Sequence, residues 1–340
     1  MIINMKNILR ITSVFALSVL CIPALSLSAD IPEKVSGSGN ISNITEETEK
    51  EYKPQEKKRE YFSVLDTESG QVSEISVRDY IIGAVCAEMP ASFEEEALKA
   101  QAVASHTYAL YQINSSSGDK SLNGADFSDD PSKYQAFFTN DEIRKYYGDK
   151  YDEYYARVSA AVDEVCSTIL VYDDEPIVAA FHSMSPGTTE SAENIWGTAL
   201  AYLVPCDSSS DISEPGYREE YTFTSDELRS RISAVHEDAE FSSDCRDWFS
   251  DIRKSDSGTV LEMNAGNITM TGTEFRDIMS LRSAAFDISY SGENKFTITT
   301  EGYGHGVGMS QYGANCMASQ GKTYEQILEH YYKGTELKIV

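Results

Sequence analysis

The chain has 340 residues, 41% of them hydrophobic and 24% charged, with 28 Lys plus Arg against 55 Asp plus Glu. That balance suits a folded protein with one large or two small cores rather than a disordered one. A formal net charge of −27 repels phosphate backbones and argues against nucleic acid as a partner. The same acidity is an ordinary solvated surface, so charge identifies no substrate.

Residues 1–29 set Lys6 and Arg10 ahead of an apolar run from Ile11 to about Leu27 and close in small residues before Asp30. This is the layout of an export signal. Cleavage near Ser28 or Ala29 fits, and so does an uncleaved anchor, since roughly 17 apolar residues reach the lower limit for a spanning helix. Either way, the rest of the chain is expected outside the cytoplasmic membrane, held to it or released to the wall. Leu20 before Cys21 does not suit lipoprotein processing. Residues 30–60 are polar, rich in Ser, Glu and Lys, and read as a flexible tether. The folded domain is expected over 61–340.

Within that domain, YFSVLD, the turn TESG and QVSEISV predict a hairpin leading into a helix over Val77 to Cys86. Ser92-Phe93-Glu94-Glu95 has capping-box spacing and predicts a helix from Ser92 to about Gln112, with Glu95 and Lys99 paired at i, i+4. A long polar loop follows over 114–133, of the kind that often carries function, then one Tyr-rich helix from Asp141 to Cys166. TILVYD, DEP and IVAAFH predict a hairpin that delivers His182, followed by the polar loop SMSPGTTESAENIW.

The acidic stretch at 208–250, with the helical piece SDELRSRISAVH, is a candidate subdomain or insertion. Strands are expected at SGTVLEMNAG, NITMTG, FDISYS and KFTITT, with a helix around EFRDIMSL and a last helix in TYEQILEHYYKG. The expected class is α+β, with helices and antiparallel hairpins forming a substrate groove.

Five cysteines follow the export segment, with no C-x-x-C pair, so a cysteine zinc site is not indicated. Cys206 with Cys245 is the pairing that export would permit, and most of the five are expected to be small buried apolar residues.

Three segments concentrate reactive side chains: AVCAEMP at 84–90, FHSMSPGTTE at 181–190 and GYGHGVGMSQYGA at 302–314. In the last, glycines at 302, 304, 306 and 308 permit positive φ and close backbone approach, and His305, Ser310 and Gln311 are its polar groups. It is not a phosphate loop, because the G-K-[ST] ending is missing. A purely structural turn is the competing reading.

Together with the E-A-L-K-A-Q-A helix, these strings resemble the stage II sporulation protein D family, in order over roughly residues 61–340. The resemblance implies a lytic transglycosylase acting during engulfment on peptidoglycan glycan strands stripped of stem peptides, with its catalytic glutamate at Glu88. Partners implied are the stage II sporulation proteins P, an amidase, and M. Candidate substrate-binding residues are Gln101, His106, His182, Ser185, Thr189, His305, Ser310 and Gln311. His106 stands where relatives often carry Arg, which removes a permanent charge. Some relatives bind zinc near the His182 loop through His and Cys. Here that loop has one imidazole and no cysteine, so no metal and no cofactor are expected.

The chemistry fits one carboxyl. It protonates the glycosidic oxygen, and as carboxylate it takes the proton of the sugar's own C6 hydroxyl, so no second carboxylate is required. Glu88 lies among apolar residues before Pro90, where desolvation would keep it protonated. A surface glutamate at a helix end is the bland alternative, and Glu96 is the competing carboxylate. Two other classes remain to be separated: a non-catalytic wall-binding scaffold that recruits an amidase, and a cysteine hydrolase using Cys86 with His182 or His305.

Overall fold

The computed structural model describes residues 59–340. The expected export segment and nearly all of the expected tether lie outside the described residues. Among these, no helix is long and apolar enough to cross a membrane. The observed class is α+β, organised around two hydrophobic cores.

The first core begins with the expected hairpin, β1 (Tyr61–Leu65) and β2 (Val72–Ser76), which leads directly into α1 (Val77–Glu88). The Ser76 side chain accepts from the Asp79 amide and so caps α1. Ten of the twelve α1 residues are buried, because α1 is packed between α2 (Glu95–Ser115) and α4 (Tyr151–Val165). The predicted start at Ser92 is corrected: α2 begins at Glu95, with no side-chain cap at its N-terminus. Ser92 sits instead in the turn that follows Pro90.

The Glu95–Lys99 pair forms at 2.8 Å, and the same ammonium also meets Glu96 and Glu164. The single Tyr-rich helix is in fact two, α3 (Asn140–Tyr147) and α4, because Gly148 at φ 54° breaks the run.

Strand β4 (Thr168–Tyr172) turns back only through β5 (Glu175–Pro176), so the long hairpin predicted here is also corrected. The chain leaves that sheet at Ile177, and β6 (Phe181–His182) pairs in parallel with β13 (Met309–Ser310), before the short helix α5 (Ala192–Trp196). Within the expected polar loop, β3 (Phe127–Ser128) pairs in parallel with β1.

The second core spans residues 223–298, well beyond the stretch at 208–250 that the sequence marks as a subdomain. Two three-stranded antiparallel sheets enclose it. One is formed by β7 (Arg218–Thr224), β12 (Lys295–Glu301) and β11 (Phe286–Gly292). The other contains β8 (Phe249–Lys254), β9 (Val260–Ala265) and β10 (Ile268–Met270). Helices α6 (Ser225–Val235) and α7 (Gly272–Met279) complete it, each capped by the threonine just before it, Thr224 and Thr271. Trp248 and Phe275 are fully buried at its centre.

The chain then returns to the first core through α8 (Gln311–Ser319), α9 (Tyr324–Tyr331) and β14 (Glu336–Ile339), which pairs with β4. Neither α8 nor β14 is anticipated by the sequence reading.

All five cysteines in the described residues are free. The Cys206–Cys245 pairing is therefore corrected: Cys206 belongs to the first core and Cys245 packs against the second. Only Cys86 and Cys206 are buried, fewer than expected.

Candidate active site

Glu88 is the last residue of α1. Met89 is extended at φ −127°, ψ 139°, as the residue before Pro90 prefers, and this ends the helix with the Glu88 side chain at its edge. Glu88 is 8% exposed and opens onto a narrow cleft together with Tyr108, Phe181 and His305. It is the single carboxyl in that lining. The phenols of Tyr80 and Tyr108 lie near enough to feel its charge, although burial is the main reason both titrate above the usual phenol range.

Another wall comes from the end of the polar loop and the residues after it, with Pro131, Tyr134, Gln135 and Ala136 in the same lining as Glu88. Two backbone ties hold this wall against the helices. The Phe138 N–H donates to the Gly83 carbonyl at 3.1 Å, and the Gln135 N–H donates to the Gln112 side chain at 3.4 Å. A Cβ at Gly83 would stand 2.2 Å from the Phe138 carbonyl oxygen, so only glycine allows the wall to lie on α1.

The three segments singled out from sequence do meet here. The glycines at 302, 304, 306 and 308 all have positive φ, and a Cβ on Gly308 would fall 2.1 Å from the Ala180 carbonyl oxygen. This close approach lets residues 302–309 lie along 180–190: Met184 and Tyr303 exchange backbone hydrogen bonds, and the Glu190 N–H donates to the Gly306 carbonyl.

The packing brings the His182 and His305 rings to 5.6 Å, with Trp196 at 5.7 Å from His305. His182 Nδ1 donates to the Val307 carbonyl at 3.1 Å, since a carbonyl can only accept. Its Nε2 is then an unprotonated acceptor, and it has no hydrogen-bond partner among the described residues. His305 Nδ1 accepts from the Val307 N–H at 3.0 Å, so its proton sits on Nε2. Burial lowers the His182 pKa to about 4 against the opposing Val307 bond. Burial also lowers that of His305, with the charges of His182 and Arg276 adding to the effect. Both rings are therefore neutral at pH 7.

The remaining candidates sit behind this surface. Gln311 Nε2 donates to the Glu88 carbonyl at 3.0 Å and to Gln101 Oε1 at 3.3 Å, while Gln101 Nε2 donates to Ser105. These two glutamines brace the backbone that carries Glu88. Ser185 is fully buried and donates through both its N–H and its hydroxyl to Asp211. Thr189 accepts from the Cys206 N–H, and Ser310 caps α8 through the Gly313 N–H. His106 lies on a different face of α2 from Gln101, Ser105 and Tyr108, with its ring centred 6.3 Å from that of Phe62.

Three groups the sequence reading passed over matter here. Asp211 collects Ser185 and Ser208, and Glu190 collects the Ser191 N–H, Asn194 and Ser255; both carboxylates are fully buried. Burial raises the Asp211 pKa against those bonds. Gln135 is the third, and the aromatic run that follows the polar loop is the only sequence hint of it. Among the described residues, no group of three or more His, Cys, Asp or Glu side chains is gathered to hold a metal.

Two competing chemistries lose their footing. Glu96 is bonded to Lys99 and to the Tyr324 N–H at the start of α9, and is spent on joining two helices. Burial pushes the Cys86 thiol up to about 12, which leaves no thiolate nucleophile at neutral pH.

Residues 66–172 match the family model described as Stage II sporulation protein. The likeness extends much further. Stage II sporulation protein D of Bacillus subtilis (strain 168) is 33% identical over 344 residues, which cover 98% of this chain and 96% of that protein. The chain belongs to the stage II sporulation protein D family. A stage II sporulation protein D from Bacillus amyloliquefaciens is 34% identical over 275 residues, covering 81% of this chain and 77% of that protein. The Amidase enhancer of Bacillus subtilis (strain 168) is 25% identical over 305 residues, 75% of this chain but 40% of that longer protein. The match to stage II sporulation protein D of Bacillus subtilis spans both cores, so the second core belongs to the shared family body.

Proposed function

We propose that this chain is a sporulation protein that cuts peptidoglycan as a lytic transglycosylase, with Glu88 as both acid and base. The observation that carries the reading is that Glu88 is the only carboxyl lining the cleft and is 8% exposed. A water-activating or nucleophilic mechanism needs a second carboxylate, whereas an intramolecular one does not. In the first step the Glu88 carboxyl gives its proton to the glycosidic oxygen as the C1–O bond breaks. In the second, the C6 hydroxyl of the same sugar closes on C1 and returns its proton to the Glu88 carboxylate. The product carries a 1,6-anhydro ring and no water is consumed. A carboxyl withdrawn from water favours the protonated state that the first step demands.

The test is to incubate the protein with glycan strands freed of stem peptides. Anhydro-ended fragments that vanish in Glu88→Gln support the assignment, and strands left intact by the unaltered protein sink it. A second reading, a wall-bound scaffold that recruits an amidase such as stage II sporulation protein P, is favoured by the likeness to the Amidase enhancer. It predicts that Glu88→Gln still stimulates release of stem peptides by an added amidase. Association with stage II sporulation protein M and attachment to the cytoplasmic membrane through residues 1–29 complete the proposal. The protein then works on the outer side of that membrane.

A further inference from the structure

We propose that Gln135 is a substrate-binding residue that recognises the 2-acetamido group of the sugar held beside Glu88. This rests on the glycan reading of the cleft. Gln135 is 6% exposed and lines the same cleft as Glu88, yet neither its Nε2 nor its Oε1 has a hydrogen-bond partner among the described residues.

The other buried glutamines are spent. Gln101 bonds Ser105, Gln311 bonds the Glu88 carbonyl and Gln101, and Gln112 meets the Lys133 carbonyl and the Gln135 N–H. A buried amide left with both ends unmatched is costly, and in native proteins such a group is completed by a ligand or by an ordered water. The backbone ties to Gln112 and Gly83 prevent the wall from turning the side chain out to water without loosening its own anchorage.

The geometry selects the partner chemistry. A primary amide offers donors on one atom and an acceptor on the other; the acetamido group is trans, so Gln135 pairs with either its carbonyl or its N–H, and a neighbouring ring hydroxyl takes the other end of Gln135. The acetamido methyl then finds Ala136, Ala179 and Ala180 in the same lining. A hydroxyl in its place lacks the methyl and would leave the apolar lining uncovered. Both sugars of a peptidoglycan strand carry this group at C2, so the contact sets which strands are accepted and lies next to the bond to be cut.

The experiment compares two neutral β-1,4-linked hexasaccharides, one of N-acetylglucosamine and one of glucose, which differ only in the group at C2. Binding of the full chain is measured by calorimetry, and thermal stability is followed in parallel. The expected result is about tenfold or greater preference for the acetylated hexamer. Gln135→Met, of similar length but apolar, loses that preference with no fall in melting temperature, and Gln135→Glu, which keeps the acceptor without the amide donors, weakens it.

The proposal is overturned if the unaltered protein binds the two hexamers equally or binds neither. It is also overturned if Gln135→Met keeps the preference, or if that variant loses stability while binding as before, which would mark a structural amide. Glu88→Gln is carried alongside and keeps the preference. If Glu88→Gln still cuts glycan, the catalytic assignment fails while the acetamido site stands.

Discussion

The two cores are built on opposite terms. The second buries aromatic surface around Trp248, which packs at 4.5 Å from Phe241 and 5.6 Å from Phe296, and its one buried indole donor is satisfied by the Ser242 carbonyl. The first buries Glu88, Gln101, His106, Gln135 and His182 among its helices and short strands. Burying polar groups costs free energy that apolar residues of the same size would not incur. Such groups gather around the proposed site in the first core, while the second buries Arg276 of α7 against the Leu281 carbonyl. The second core also gives direct support: Ser257 donates to the Thr189 carbonyl, and the Ser255 hydroxyl to Glu190, so the second core steadies the loop that carries His182 and Ser185.

This contrast breaks if mutations in the two cores act alike. The largest expected separation is at Glu88: Glu88→Gln should lower glycan cleavage by about 10³-fold or more, as for loss of a general acid, with an unchanged melting curve. Phe275→Ala, at the centre of the second core, should do the reverse. It costs about 3–5 kcal/mol of unfolding free energy by denaturant titration, with turnover per folded molecule intact.

The next effect is a pH dependence. His182 titrates near 4 when folded and near 6.5 when unfolded, so between those values the unfolded chain binds the extra proton and stability falls as pH is lowered. The fall amounts to about 3 kcal/mol and levels off below pH 4; His305, shifted in the same direction, adds to it. Urea unfolding at pH 7, 5.5 and 4 checks this, and His182→Asn should flatten the profile.

Gln311→Leu sharpens the comparison further. It removes the bond to the Glu88 carbonyl, so kcat should drop about ten- to a hundredfold while KM holds, the signature of a positioning residue. A fall in KM-dependent terms alone would place Gln311 on the substrate instead. The smallest effect is Glu95→Ala, below about 1 kcal/mol in thermal unfolding, because Glu95 is exposed and Lys99 keeps Glu96 and Glu164.

Much of the fold was legible because its signals are local. The β1–β2 hairpin, α1, α6, α7 and the four strands from β9 to β12 follow from alternation, helical spacing and turn residues, each decided within a few residues. The errors fall where non-local contacts decide. Ile177–Ala180 reads as the return strand of a hairpin but is drawn away because Phe181 and His182 find the backbone of Met309 and Ser310, over a hundred residues later. Residues 208–250 looked like an insertion because the second core closes only when residues as distant as Phe223 and Phe296 pair across β7 and β12.

The sequence alone determined that Glu88 lies among apolar residues just before a proline, that the glycines at 302–308 permit a tight approach, and that the three segments belong to one family pattern, since all of these are properties of adjacent residues. Only the tertiary structure decided which side chains share the cleft. Glu88 and His305 line it, while Gln101 and Gln311 turn to hold the Glu88 backbone. Gln135, hinted at in the sequence only by the aromatic run around it, is placed in the lining by the backbone contact at Gly83. Hydrogen-bond partners are chosen by proximity after packing, and nothing in the order of residues along the chain encodes that proximity directly.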